Sequence, residues 1–148
     1  MSLFDRGTGQ LQASDIKLKP AEGFAAIALI AVAADDIITT SESRAITTLF
    51  SRMELFSKYS EDALREMTDK LLGIIKNGDI KPLFDAAVAV VPKELKETVF
   101  AVTTDLVLAD KDLAEEEEQL LNELYSALKI SEEMADKIIE VISIKNKG

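Results

Sequence analysis

Carboxylates recur in this chain at an interval that helix packing alone does not require. Asp35 and Glu42 stand seven residues apart, and Asp110 and Glu117 repeat that interval 75 positions later. Asp36 and Asp112 add a further acid to each stretch. Two or three carboxylates around one turn suit a hard divalent cation, calcium first, with magnesium or manganese as the alternatives. The chain has no cysteine and no histidine, so zinc, haem and iron–sulfur groups lack their usual donors. Thiol and imidazole catalysis is excluded for the same reason. Hydrolysis by paired carboxylates is the one catalytic alternative, but no nucleophile or oxyanion-binding loop accompanies the acids, and the expectation is a protein that is not an enzyme.

Capping is the plainer account of these acids. Thr39 with Glu42 reads as a capping box, and glutamates in a first turn complement the helix dipole. The aspartates resist that account, because Asp35 and Asp110 fall at helix exits, where the dipole disfavours negative charge. A backbone cap or a cation must compensate there. An EF-hand is ruled out by spacing: counted from Asp110, the sixth position is Glu115 instead of glycine and the twelfth is Leu121 instead of glutamate. The run from Glu115 to Glu118 reads as a solvated helix face, from which the repeat singles out only Glu117.

These acids need elements to hold them, and the elements are also said twice. Residues 26–53 align without a gap on 101–128: Ala34-Asp35 on Ala109-Asp110, Ile38 on Leu113, Leu49 on Leu124, Phe50 on Tyr125 and Met53 on Leu128. Each copy is an apolar run, an acidic turn and an amphipathic run, so an antiparallel hairpin brings each Asp toward its Glu at one end of a bundle. Gly23 to Ala34 carries no charge and is shorter than the roughly 20 residues of a membrane span, which predicts a buried central helix. Val99 to Ala109 is its counterpart, with Asp105 and the threonines giving it one polar edge. Ser60 and Ser131 read as matching N-caps ahead of stripes at Leu64, Met67, Leu71, Ile75 and at Met134, Ile138, Val141, Ile142. Pro20, Pro82 and Pro92 sit in first turns. Lys76-Asn77-Gly78-Asp79 is a turn, followed by a short connector helix from Pro82 to Val91. The expected fold is all-α: a compact bundle of about seven helices with two pseudo-symmetric three-helix halves. It is a single domain over residues 18–144, with an irregular arm over 1–17 and a frayed tail over 145–148.

At 148 residues, with 47% apolar and 30% charged side chains, the chain has material for one sizeable core. A net charge of -10 repels nucleic acid and anionic membrane surfaces. Expected partners are cations, basic protein surfaces or apolar grooves, and a homodimer is compatible with the composition. Direct membrane insertion is not expected. The start, Met1-Ser2-Leu3-Phe4-Asp5-Arg6-Gly7, breaks any signal-peptide pattern with an acid and a glycine, so a cytoplasmic location is expected.

The doubled pattern of Ala-Asp, a hydrophobic residue at Ile38 or Leu113, and a Glu seven after the Asp resembles the TerB-like tellurite-resistance family over roughly residues 18–144. The resemblance implies a seven-helix fold with pseudo-twofold halves, a bacterial stress-response setting, and a metal-associated or adaptor role rather than an enzymatic one. A related module is fused to a membrane-associated co-chaperone. Carried across, the acidic sites are Asp35, Glu42, Asp110 and Glu117, with Asp36 and Asp112 auxiliary. The family's glycine after the Asp is Asp36 in the first turn and Lys111 in the second. Asp tolerates a left-handed backbone and adds a ligand, whereas Lys111 brings a positive charge, so a lone site is expected at the first turn. Without cysteine the chain cannot reduce or trap an oxyanion through thiols, and resistance would act indirectly, through partners or metal status.

Two functions from different classes follow. One is a sensor or regulator that binds a divalent cation through converging carboxylates of the acidic turns. The other is a metal-independent helical adaptor that presents an acidic rim or groove to a protein or apolar small molecule.

Overall fold

An apolar run bounded by a proline and an acidic turn belongs at the centre of a bundle, and Pro20–Ala33 forms such a helix, α1. Pro20 takes a first-turn position where its missing N–H is harmless. The Lys19 N–H donates to Glu22 Oε1 at 2.9 Å and closes the helix start. From Gly23 to Ala31 every residue of α1 is buried.

The computed structural model describes residues 11–33, 40–108 and 115–147, apart from the side chains of 40–43 and 116. Among the described residues the architecture is all-helical, with no strand: α2 (Thr40–Ser51), α3 (Glu61–Lys76), α4 (Ile80–Val90), α5 (Lys96–Leu108), α6 (Glu115–Ala127) and α7 (Glu132–Lys145) follow α1. Helix α1 is the hub, packed most extensively on α4, then on α5 and α3, with a lighter contact to α2. Helix α5 in turn supports α6 and α7. None of the helices in the described residues is long and apolar enough to cross a membrane.

Helix α4 is more than the expected connector. It begins at Ile80, before Pro82, and buries Ile80, Leu83, Phe84, Ala86 and Ala87. Gly23 explains its close seat on α1: a Cβ there would strike the Val90 side chain and lie 2.9 Å from the Ala87 carbonyl oxygen. The two helices therefore meet nearly backbone to backbone. Helix α3 ends ahead of it through Gly78 at φ 90. The Gly78 N–H donates to Ile75 O at 3.0 Å and the Asp79 N–H to Ile74 O at 3.2 Å, a Schellman closure.

Both serine caps form as their sequences predict. Ser60 Oγ accepts from the Ala63 N–H at 3.0 Å and Ser131 Oγ from the Met134 N–H at 3.1 Å. The offset between these caps is 71 residues, because the first half inserts a 3-10 turn, Glu54–Phe56, between α2 and α3. Phe56 fills the space it makes, stacked on Phe50 with centroids 4.6 Å apart and edge-on to Phe24.

The polar edge expected on α5 is not where the threonines place it. Thr103 and Thr104 are both fully buried. Thr104 Oγ1 hides its polarity by donating to Phe100 O at 2.7 Å. Asp105, half-buried, accepts from Lys145 Nζ at 3.2 Å and from Asn146 Nδ2 at 3.1 Å, so these two residues of the expected tail are held against α5. Helix α7 also turns its stripe differently. Leu64, Met67, Leu71 and Ile75 of α3 are all buried, whereas on α7 only Ala135 is, and Val141 is 62% exposed. Helix α3 is clasped by α1, α2 and α4, while α7 leans chiefly on α5. One neighbour covers only one side of a helix.

Residues 1–10 of the expected arm lie outside the described residues. From Leu11 onward the arm lies on α4, with a 3-10 turn at Ala13–Asp15 and Ile16 buried. The Leu11 N–H donates to Oδ1 of buried Asp79 at 3.1 Å, and Asn77 Nδ2 donates to Oδ2 at 3.3 Å.

Candidate functional site

The two acidic turns are framed alike. Residues 34–39 lie between α1 and α2, and residues 109–114 between α5 and α6, each at the same offset of 75. Asp35, Asp36, Asp110 and Asp112 lie within these stretches, outside the described residues, as does Thr39 of the expected capping box. Glu42 is placed by its backbone near the start of α2, with its side chain outside the described set. Among the described residues, no group of three or more acids stands close enough to hold a metal.

Glu117 is the one predicted ligand whose side chain is described, and it is not solvated. It lies in the first turn of α6 and is 4% exposed, whereas Glu115 and Glu118 on either side are exposed. The repeat separates this residue from its run, and among the described side chains of that run it alone is buried. Burial of a carboxylate costs several kcal/mol unless a partner answers it; the Glu117 side chain is engaged rather than orphaned.

Two further oxygens in the same hairpin have no hydrogen-bond partner, Thr103 Oγ1 on α5 and Gln119 Oε1 on α6, and both are buried. Thr103 stands six residues before the turn stretch 109–114 and Gln119 five after it. Helices α5 and α6, which carry them, are in contact. A buried oxygen without a donor costs about 1–3 kcal/mol. In the sequence Thr103 reads as part of a polar edge on α5, and Gln119 carries no reading. Their signal was present: Thr103 and Gln119 align with Ala28 and Arg44 of the first copy, so neither oxygen is part of the shared pattern.

The first hairpin offers no such group among its described side chains. Helix α1 buries only apolar residues, and the described part of α2 buries Ile46 and Phe50. The second hairpin, by contrast, buries the Glu117 carboxyl in the first turn of α6 and two oxygens without hydrogen-bond partners, Thr103 Oγ1 and Gln119 Oε1.

A family model described as tellurite resistance protein TerB matches residues 21–139. No curated protein and no solved structure matches the chain.

Proposed function

The chain belongs to the TerB tellurite resistance family, and from that premise we propose that it is a non-enzymatic bacterial stress-response protein that binds a hard divalent cation at its acidic turns. In this reading it acts in the cytoplasm as a sensor or regulator: carboxylates from a turn and from the following helix close on the ion and order that end of the bundle. The observation that carries the reading is Glu117, a glutamate buried to 4% exposure beside exposed neighbours, at a position the repeat marks. Lys111 had favoured the first turn as the stronger site. The buried carboxylate and the oxygens of Thr103 and Gln119 now weigh toward the second.

Calorimetric titration of the metal-free protein with calcium, then magnesium and manganese, tests this. Two variants accompany it, Asp35→Asn/Glu42→Gln and Asp110→Asn/Glu117→Gln. Saturable heat is expected in the wild type, with the larger loss in the second variant, and circular dichroism reports whether each variant keeps its helices. No heat and no rise in melting temperature at about 1 mM ion would sink the proposal. The acids would then be caps and surface charge, and the adaptor reading would take its place.

A further inference from the structure

We infer that Asn77 is a deamidation site whose conversion unlatches the N-terminal arm from the bundle. The inference stands apart from cation binding. Of the three asparagines, Asn77, Asn122 and Asn146, only Asn77 precedes a glycine, and a residue without a Cβ leaves its backbone nitrogen open to close approach. Asn77 is exposed, so water reaches the reacting amide. The Gly78 nitrogen attacks Asn77 Cγ and gives up its proton, the side-chain nitrogen leaves as ammonia, and a succinimide ring closes. Water then opens the ring at either carbonyl, leaving aspartate or isoaspartate at position 77.

The closed turn holds this chemistry in check. The Gly78 N–H donates to Ile75 O at 3.0 Å, and Asn77, at ψ -5, keeps its Nδ2 on Asp79 Oδ2 at 3.3 Å. Attack therefore waits for the turn to open locally. Once it has occurred, the turn cannot close as before. Asp79 is 1% exposed and stands at the N-cap of α4, yet its side chain makes no cap bond; Oδ1 accepts from the Leu11 N–H at 3.1 Å instead. An aspartate at position 77 removes the donor on the other oxygen and sets a second negative charge beside this buried carboxylate. That charge also falls at the C-terminal end of α3, where the helix dipole opposes it. Isoaspartate lengthens the backbone and breaks the register of the Schellman closure. The arm has little else to hold it: Ile16 is the one buried side chain of residues 11–19. The turn is thus a one-way release for the arm.

The test begins by ageing the full chain at mildly alkaline pH while peptide mass spectrometry follows each asparagine. Asn77 should convert before Asn122 and Asn146, with isoaspartate among its products. Hydrogen exchange then reads the latch in Asn77→Asp, with Asn122→Asp adding the same charge at an exposed position of α6 as the control. Exchange over residues 11–16 should rise about tenfold in Asn77→Asp, the loss of one hydrogen bond to a charged group, while α1 keeps its protection. Deamidated wild type, separated by charge, should behave as Asn77→Asp does, and it takes the place of that variant if the variant fails to fold. The inference is overturned if Asn77 outlasts the other two asparagines, or if the arm exchanges no faster in Asn77→Asp than in Asn122→Asp. An equal loss of protection in α1 overturns it as well, since the whole bundle would then be loosened and not the arm.

Discussion

The hairpins α1–α2 and α5–α6 share a register and differ in what they bury. The ends of α1 and α5, the starts of α2 and α6 and the acidic pattern coincide at an offset of 75, but α1 buries only apolar side chains while the second hairpin buries Thr103, Thr104 and Glu117. Their surroundings differ as well. Helix α1 is covered by α4, seated on it through Gly23, whereas α5 supports α6 and α7. A shared frame thus fixes where the turns occur, while interior polarity is set by which neighbours close over each hairpin. The closed hairpin serves as the core. The other buries oxygens that find no hydrogen-bond partner.

The largest effect should come from breaking the seal of the first hairpin. Gly23→Ala places a methyl against Val90 and the Ala87 carbonyl, and overpacking of this kind costs about 1–3 kcal/mol. Thr98 occupies the aligned position and is exposed; Thr98→Ala should stay within about 0.5 kcal/mol. Urea unfolding of both variants against wild type measures the contrast. Equal losses would mean that the α1–α4 contact is not what separates the two halves.

A smaller change should sharpen the contrast from the other side. Thr103→Val keeps the shape of a buried side chain and removes an oxygen with no partner. The expected result is a gain of about 1 kcal/mol, measured by thermal or urea unfolding, because an unpaired buried hydroxyl loses its water for nothing. If calcium heat is present in the wild type and falls in this variant, the oxygen contributes to the proposed cation site and is kept there at a cost in stability. A loss of stability would instead mean that the hydroxyl finds a donor in solution.

How much of this was legible in sequence depends on how local each cause is. Ser60 and Ser131 were readable as caps because a cap needs only the next three residues, and Pro20 marked α1 for the same reason. Helix α4 reads as a connector in the sequence, since the residue that draws it into the core, Gly23, lies far away in the chain and carries no side chain to announce the contact. On α7 the apolar residues fit more than one face, and α5 decides which is covered; spacing alone turns Val141 inward, and the neighbour that leaves it exposed is not visible in the sequence. The site divides similarly. Repetition isolates Glu117 from a run of four glutamates, but nothing local distinguishes Thr103 and Gln119, whose oxygens are buried, from polar residues on an outer face. Periodicity reports which residues share a face and leaves open which face meets a partner.

The smallest expected effect concerns the start of α1. Burial alone would raise the Glu22 pKa, but the Lys19 N–H, Lys70 Nζ at 3.1 Å and the charges of both lysines outweigh it, so the carboxyl sits below its ordinary 4.5. Glu97, at the aligned position on α5, is exposed. A carboxyl whose pKa is lower folded than unfolded adds stability at pH values above the unfolded value, and that contribution fades as pH falls through the folded one. Glu22→Gln should therefore be less stable than wild type at pH 7, and the two should converge below about pH 4.5. Half of Lys70 is exposed to water, so screening holds the difference to roughly 0.5 kcal/mol. Glu97→Gln is the exposed control at the aligned position. Urea midpoints of both variants from neutral to acid pH decide the matter. A gap at Glu22 that widened toward acid would mean that burial, and not Lys19 and Lys70, governs this carboxyl, and the ion pair between α1 and α3 would lose its place among the features that set the first half apart.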